Sequence, residues 1–246
     1  MKRGSSSIRK TPECNIGLLL AAVRMLRTDG IMIISPSRRY IFVHIPKTGG
    51  TSLALALEER AKPDDILIGD TPKARARRHR IKPLKSAGRL WKHSRLADIA
   101  GLAEAEPLDD YFVFTIVRDP WDRVSSLYHW LRDQTFSHVG VERAKSLSFA
   151  GFVADVDIAA MLSHDQARTY TSDATGMDRA DTILRFEQIA EDLVPVEKHL
   201  GVKIGPLPHL NRSDRPEDSR AVYDAESAKH VARYFAEDIS RFGYEF

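Results

Sequence analysis

Apolar residues along this chain recur with two periods, and the two alternate. Residues 40–45, YIFVHI, are an apolar run broken only by His44, which predicts a short strand covered on both faces. Residues 111–117, YFVFTIV, and 182–186, TILRF, repeat the pattern, and 66–68 offer a shorter strand between turn residues. Elsewhere the spacing is helical, over 53–60, 120–133, 189–200 and 225–241, with shorter helical stretches at 15–26, 96–103 and 149–153. In 120–133, Val124, Leu127, Tyr128 and Leu131 fall at i, i+3, i+4 and i+7, a stripe expected to face the sheet. Arg123, Ser126 and Trp130 lie on another face, which can present a cation and a hydroxyl beside the strand end. Asp119 and Pro120 fit the N-cap and first position of that helix. Gly243 fits the C′ position of the last one. Strands and helices in alternation predict an α/β fold, with a central, mostly parallel sheet flanked by helices on both faces.

Bulk properties narrow this picture only a little. A chain of 246 residues, 43% apolar with net charge +3, suits one α/β domain with a small extension. The expected division is a basic tail and amphipathic helix over 1–39, then the α/β domain over 40–246. The apolar run 16–23 is too short to cross a bilayer, and Arg24 and Arg27 interrupt it with no small-residue cleavage site following. A cytoplasmic location is therefore expected, with peripheral membrane contact left open. The lone Cys14 excludes an intramolecular disulfide and a cysteine-based zinc site. The modest net charge hides an uneven distribution. Residues 73–95 hold ten Lys or Arg and no Asp or Glu, and read as a loop-rich insert. Such a run is either a solvated face or a landing surface for an anion.

The chemistry gathers where strands end. After the first strand come Pro46 and then Lys47-Thr48-Gly49-Gly50-Thr51-Ser52, directly before a helix. Glycines there permit positive φ and close backbone approach. The free N–H groups of a helix start attract negative charge, as does its dipole. Thr51 and Ser52 can cap the helix or bind an oxyanion, and Lys47 adds a full positive charge. This is not the nucleotide-triphosphate pattern G-x-x-x-x-G-K-[ST], because the lysine precedes the glycines. A second anion site is expected at the end of the 111–117 strand, where Arg118 can fork onto a phosphate and Ser126 can donate a further hydrogen bond. In an open α/β sheet such ligands bind beyond the carboxyl ends of the strands.

Together the two motifs resemble the sulfotransferase superfamily, in the branch that holds the Golgi carbohydrate sulfotransferases and many short bacterial relatives. HIPKTGGTS resembles the 5′-phosphosulfate loop, and VRDPWDRVSSLY resembles the 3′-phosphate motif, with Arg118 and Ser126 at its binding positions. KHSRLADI, ILRFEQI, LPHLNRS and the terminal FGYEF are weaker echoes, and the likeness extends over about 40–246. It implies a P-loop-like three-layer sandwich that binds 3′-phosphoadenosine 5′-phosphosulfate (PAPS) and releases adenosine 3′,5′-bisphosphate. The implied reaction is in-line sulfuryl transfer to an acceptor hydroxyl, of a sugar or glycan, with no metal required. Through KHSRLADI it points to His93 as the base, and a neutral imidazole suits that task near neutral pH. Arg212 and Ser213 are expected beside the nucleotide, and Thr48 beside the sulfuryl group. Trp121 or Trp130 is a candidate for stacking on adenine. His44 and His129 are expected to be structural, and Arg185 and Glu187 to form an ion pair or brace a strand end.

Two other readings remain open on the sequence. One is a kinase-like phosphotransferase, which would want magnesium carboxylates that are not evident. The other is a non-catalytic polyanion-binding module built on 73–95, although no nucleic-acid partner is expected. No pattern in the chain specifies the acceptor or the oligomeric state.

Overall fold

The computed structural model describes residues 30–102, 108–207 and 218–246. Among these residues five strands form one sheet: β1 (Ile31–Ser35), β2 (Tyr40–Val43), β3 (Ile66–Gly69), β4 (Phe112–Val117) and β5 (Thr182–Arg185). Their spatial order is β3-β1-β2-β4-β5. β2 pairs with β4, and β4 with β5, in parallel, while β1 is antiparallel to both its neighbours. β1 alone therefore runs against the other four, and the carboxyl ends of β2, β4 and β5 share one edge.

The strand β1 corrects the expected boundary at residue 40. It forms a tight hairpin with β2, registered Ile33↔Phe42 and Ser35↔Tyr40, so the sheet begins before that boundary. All five of its residues are buried. Residues 66–68 do form a strand, but it enters the sheet beside β1.

Side-chain alternation sorts the strands onto two faces. Ile31, Ile33, Tyr40, Phe42, Phe114, Ile116 and Leu184 pack on one face, against Leu53 and Leu57 of α1 (Thr51–Glu59) and Ala74 of α2 (Pro72–Ile81). Met32, Ile34, Ile41, Val43 and Val113 pack on the other, against Leu96, Ile99 and Tyr170. These two cores make the three layers. The expected helix at 96–103 is only a 3₁₀ turn, Leu96–Ile99, among the described residues.

A third core lies among helices alone. It joins α3 (Pro120–Arg132) to α4 (Val139–Ser146), α5 (Phe149–Ala154), α6 (Val156–Ser163) and α10 (Ala225–Tyr234), the labels α7 (Ala167–Thr171), α8 (Ile189–Asp192) and α9 (Val194–Leu200) falling between. Val124, Tyr128 and Leu131 point into it, beside Phe149, Phe152 and Val231. The stripe expected to face the sheet thus faces this helical layer. The reason is amphipathic competition: the opposite face of α3, with Arg123 and Ser126, is the one turned to the sheet edge, and it too is buried.

The last expected helix divides at Phe235, whose backbone (φ −110, ψ 27) leaves the helical region, and resumes as α11 (Ala236–Phe242), capped by Gly243 at φ +69. The basic insert is a helix over its first part and turns and loop from residue 82 to 95, as a loop-rich segment was expected to be. α2 starts at Thr71, whose side chain accepts from Ala74 N, and Ala74 anchors it in the core. Arg77 donates to the Lys62 carbonyl at 2.7 Å, and Arg80 to that of Pro63. Lys92 is buried and pairs with Asp70 at 3.3 Å. Part of the insert's charge therefore closes turns instead of facing solvent. No helix among the described residues is long and apolar enough to cross a membrane. The 15–26 helix and Cys14 lie outside those residues.

Candidate active site

The turn after β2 is held in an uncommon backbone conformation. Lys47 has φ +63 and Gly49 φ +81. An L-residue at positive φ brings its Cβ close to backbone oxygen, so Lys47 is in a conformation its neighbours must impose. Thr48 is buried, and its Oγ1 donates to the Ile45 carbonyl at 3.0 Å. The Lys47 Nζ lies 5.3 Å from the centroid of the Trp130 ring. The two glycines serve different ends. A Cβ at Gly49 would come inside 3.0 Å of the Phe186 ring. Gly50 is at φ −66, not the positive φ expected of it, and is small because the His44 ring would lie 2.9 Å from its Cβ.

Gly50 is the N-cap of α1, and no side chain caps it. The first turn of α1 carries no acidic residue. Thr51 opens the helix, half-buried, and Ser52 lies buried behind it. Uncapped N–H groups, the helix dipole and nearby Lys47 fit an anion at this end.

At the end of β4, Arg118 Nε donates to Asp122 Oδ2 at 2.6 Å, and its Nη2 pairs with the same oxygen. Its guanidinium sits 4.8 Å from the Phe186 ring centroid. Ser126 is buried one turn beyond Asp122 on the same helix face. Phe186 follows β5, so one ring touches the Lys47–Gly50 turn and the Arg118 side chain together. The two expected anion sites therefore share one sheet edge. Asp119 caps α3, accepting from Asp122 N at 3.0 Å.

His93 lies buried beneath the loop. Its Nδ1 is 2.7 Å from the His44 carbonyl, which can only accept, so Nδ1 carries the proton and Nε2 the lone pair. Burial, with help from His44 and the Lys92 and Arg123 charges, holds its pKa well below the ordinary histidine value. His44 is driven down to about 3, first by burial and then by Lys92. Its Nδ1 accepts from Ile31 N at 3.2 Å, and the two rings meet edge to face at 4.9 Å. Both imidazoles are neutral at physiological pH.

Several expectations need revision. Trp121 is a core residue whose Nε1 donates to the Ala228 carbonyl at 3.0 Å, so it is not placed to stack on adenine. Arg185 pairs with Asp192, at 2.9 Å, not with Glu187. Glu187 does brace a strand end: its Oε1 accepts from Asp119 N at 2.8 Å, and its Oε2 from the Tyr244 hydroxyl at 3.1 Å. His129 is structural, with Nδ1 2.9 Å from the Ser125 carbonyl of its own helix. Arg212 and Ser213 lie outside the described residues.

Sequence reasoning missed Phe186 and Arg220. Arg220 donates to Asp119 Oδ2 at 2.5 Å and to the Glu245 carbonyl at 3.0 Å. The motifs ILRFEQI and FGYEF marked Phe186 and Tyr244 as part of a pattern without saying what they touch. Nothing local marked Arg220, because its carboxylate partner, Asp119, is 101 positions away. Among the described residues no group of three or more His, Cys, Asp or Glu is arranged to hold a metal ion.

The sheet has a mostly parallel core, and the turns that carry Lys47 and Arg118 lie at its carboxyl edge, a P-loop-like α/β arrangement. The family model described as the sulfotransferase family matches residues 31–245, and the chain belongs to that family. By that membership it is a sulfotransferase. Among solved structures, mouse sulfotransferase SULT7A1 complexed with PAP is similar at 12% identity, covering 83% of this chain and 86% of that one, with a TM-score of 0.49. A comparison with curated proteins returned no match.

Proposed function

We propose that the chain moves the sulfuryl group of PAPS to an acceptor hydroxyl of a sugar or glycan by in-line displacement. The observation that supports this reading is the Phe186 ring beside both Gly49 and the Arg118 guanidinium, so the Lys47 turn and Arg118 are neighbours at one sheet edge. A nucleotide phosphorylated at both 5′ and 3′ positions needs such a pair. In this reading Lys47, Thr48, Gly49, Gly50, Thr51 and Ser52 hold the 5′-phosphosulfate. Arg118 and Ser126 hold the 3′-phosphate, with Arg212 and Ser213 beside the nucleotide. Arg118 must turn from Asp122, where Nε and Nη2 share one carboxylate oxygen, toward that phosphate, which its fork can take through two oxygens.

PAPS, when bound, supplies the sulfuryl group and a stable bisphosphate leaving group. The residues supply the rest. Lys47 and the N–H groups of α1 stabilise negative charge that grows on the leaving phosphate. His93, neutral with its lone pair on Nε2, takes the proton of the attacking hydroxyl. A carbohydrate acceptor is the family branch's expectation carried over to this chain.

The test is thermal denaturation with adenosine 3′,5′-bisphosphate, AMP or ATP, followed by transfer of labelled sulfuryl from PAPS to a panel of oligosaccharides and phenols. Stabilisation by the bisphosphate above the other two, and labelled oligosaccharide, are expected. Equal stabilisation by AMP removes the second anion site from the reading. Label on phenols alone removes the carbohydrate acceptor.

A further inference from the structure

The strongest unexplained feature near the site is a buried arginine. Arg123 is only 5% exposed. Its guanidinium makes three hydrogen bonds in three directions. Nε donates to the Pro46 carbonyl at 3.0 Å, Nη1 to the Asp165 carbonyl at 2.7 Å, and Nη2 to Asp165 Oδ2 at 2.6 Å. The other carboxylate oxygen of Asp165 accepts from the Tyr170 hydroxyl. A cation buried this deeply is costly unless fully paired, and here it is paired on both sides. One side is the turn α6–α7, at Asp165. The other is the first residue of the anion loop.

The Pro46 carbonyl belongs to the peptide that joins Pro46 to Lys47. Pinning that oxygen fixes the plane of the peptide on which the Lys47 φ of +63 is measured. On the far side Thr48 Oγ1 ties back to Ile45. Lys47 is thus clamped between two hydrogen bonds in a conformation it would not choose alone. Trp130, which carries the Lys47 ammonium on its ring, is seven residues beyond Arg123, on the same face of α3. One helix face therefore sets both the backbone and the tip of this lysine.

We propose that Arg123 is a positioning residue: by fixing the Pro46 carbonyl it imposes the left-handed Lys47 and so aims the lysine at the 5′-phosphosulfate. This rests on the reading of the loop given above. Arg123 itself touches no nucleotide in this arrangement. Lysine cannot replace it, since an ammonium lacks the planar fork that reaches both partners.

The experiment is calorimetric titration of adenosine 3′,5′-bisphosphate and of adenosine 3′-monophosphate into wild type, Arg123→Lys and Arg123→Gln/Asp165→Asn. The double variant removes both charges, so neither is stranded. The monophosphate lacks the 5′ group and does not report on the loop. Bisphosphate affinity is expected to fall at least ~10-fold in both variants, with monophosphate affinity within about 2-fold of wild type. Lys47→Ala is expected to cost at least ~10-fold in the wild-type background and less than ~3-fold in either variant. Equal losses for both nucleotides, or the same Lys47→Ala factor in every background, overturn the proposal. So does loss of circular-dichroism signal in both variants, which would make Arg123 a brace of the core. If Lys47→Ala alone leaves bisphosphate binding unchanged, the loop assignment fails first and the proposal goes with it.

Discussion

Gly49→Ala probes the joint between the two anion sites. The residue sits at φ +81, where an alanine costs roughly 1 kcal/mol relative to glycine. The new methyl would also fall inside 3.0 Å of two Phe186 ring carbons. Carbon atoms rest at about 3.5–4.0 Å, so the ring must retreat by roughly 1 Å. Overpacking of this kind costs about 1–3 kcal/mol, which brings the total to about 2–4 kcal/mol. For a domain of this size that is a fall in Tm of very roughly 5–15 °C. The ring cannot retreat without disturbing the Arg118 guanidinium stacked on it. The stabilisation conferred by adenosine 3′,5′-bisphosphate should therefore shrink too. Differential scanning fluorimetry with and without the nucleotide reads both effects. Gly49→Ala/Phe186→Leu should lose less than the two single variants summed, because the smaller side chain relieves the collision. An unchanged Tm and an unchanged nucleotide shift in Gly49→Ala would refute the joint.

Four further outcomes are expected. Arg118→Ala should weaken bisphosphate binding by ~100-fold, the loss of two charge-assisted hydrogen bonds, and Arg118→Lys should restore only part of it; titration calorimetry decides. His93→Gln should lower turnover by at least ~100-fold with donor affinity nearly intact, and an unchanged turnover means that another group takes the proton. Stability should fall as pH drops below about 6.5. His44 and His93 stay neutral when folded but bind protons when unfolded, so the unfolded state gains from acid down to about pH 3 for His44. Urea titrations of wild type and His44→Gln should show a slope shallower in the variant by up to ~1.4 kcal/mol per pH unit; identical slopes would contradict a buried neutral His44. Glu187→Gln should cost about 1 kcal/mol of stability through the weakened Asp119 and Tyr244 contacts, visible as a shift in the urea midpoint at constant slope.

Much of this site was readable because its signals are local. The apolar run of 40–45, the glycines after Lys47, and the Asp119-Pro120 helix start all act within one turn of chain, and the strand and both helix starts form as expected, although Gly50 is not at positive φ. The turns that carry Lys47 and Arg118 were legible at strand ends for the same reason. The strand Ile31–Ser35 was not read, although its residues are wholly apolar until Ser35. An apolar pentapeptide does not say which neighbours it will pair with, or in which direction. The stripe on α3 was read correctly as apolar, but a stripe does not name its partner layer, and a helical layer covers it here.

What local pattern settles is therefore chemistry and period: a cation and free N–H groups at one strand end, a guanidinium and a hydroxyl at another. Their meeting is decided elsewhere. Phe186 touches Gly49 across 137 positions of sequence, Arg123 reaches Asp165 across 42, and Arg220 reaches Asp119 across 101. Hydrogen bonds and ring contacts act over a few ångströms, whatever the separation along the chain, so only the parallel pairing of β2, β4 and β5 brings these groups to one edge.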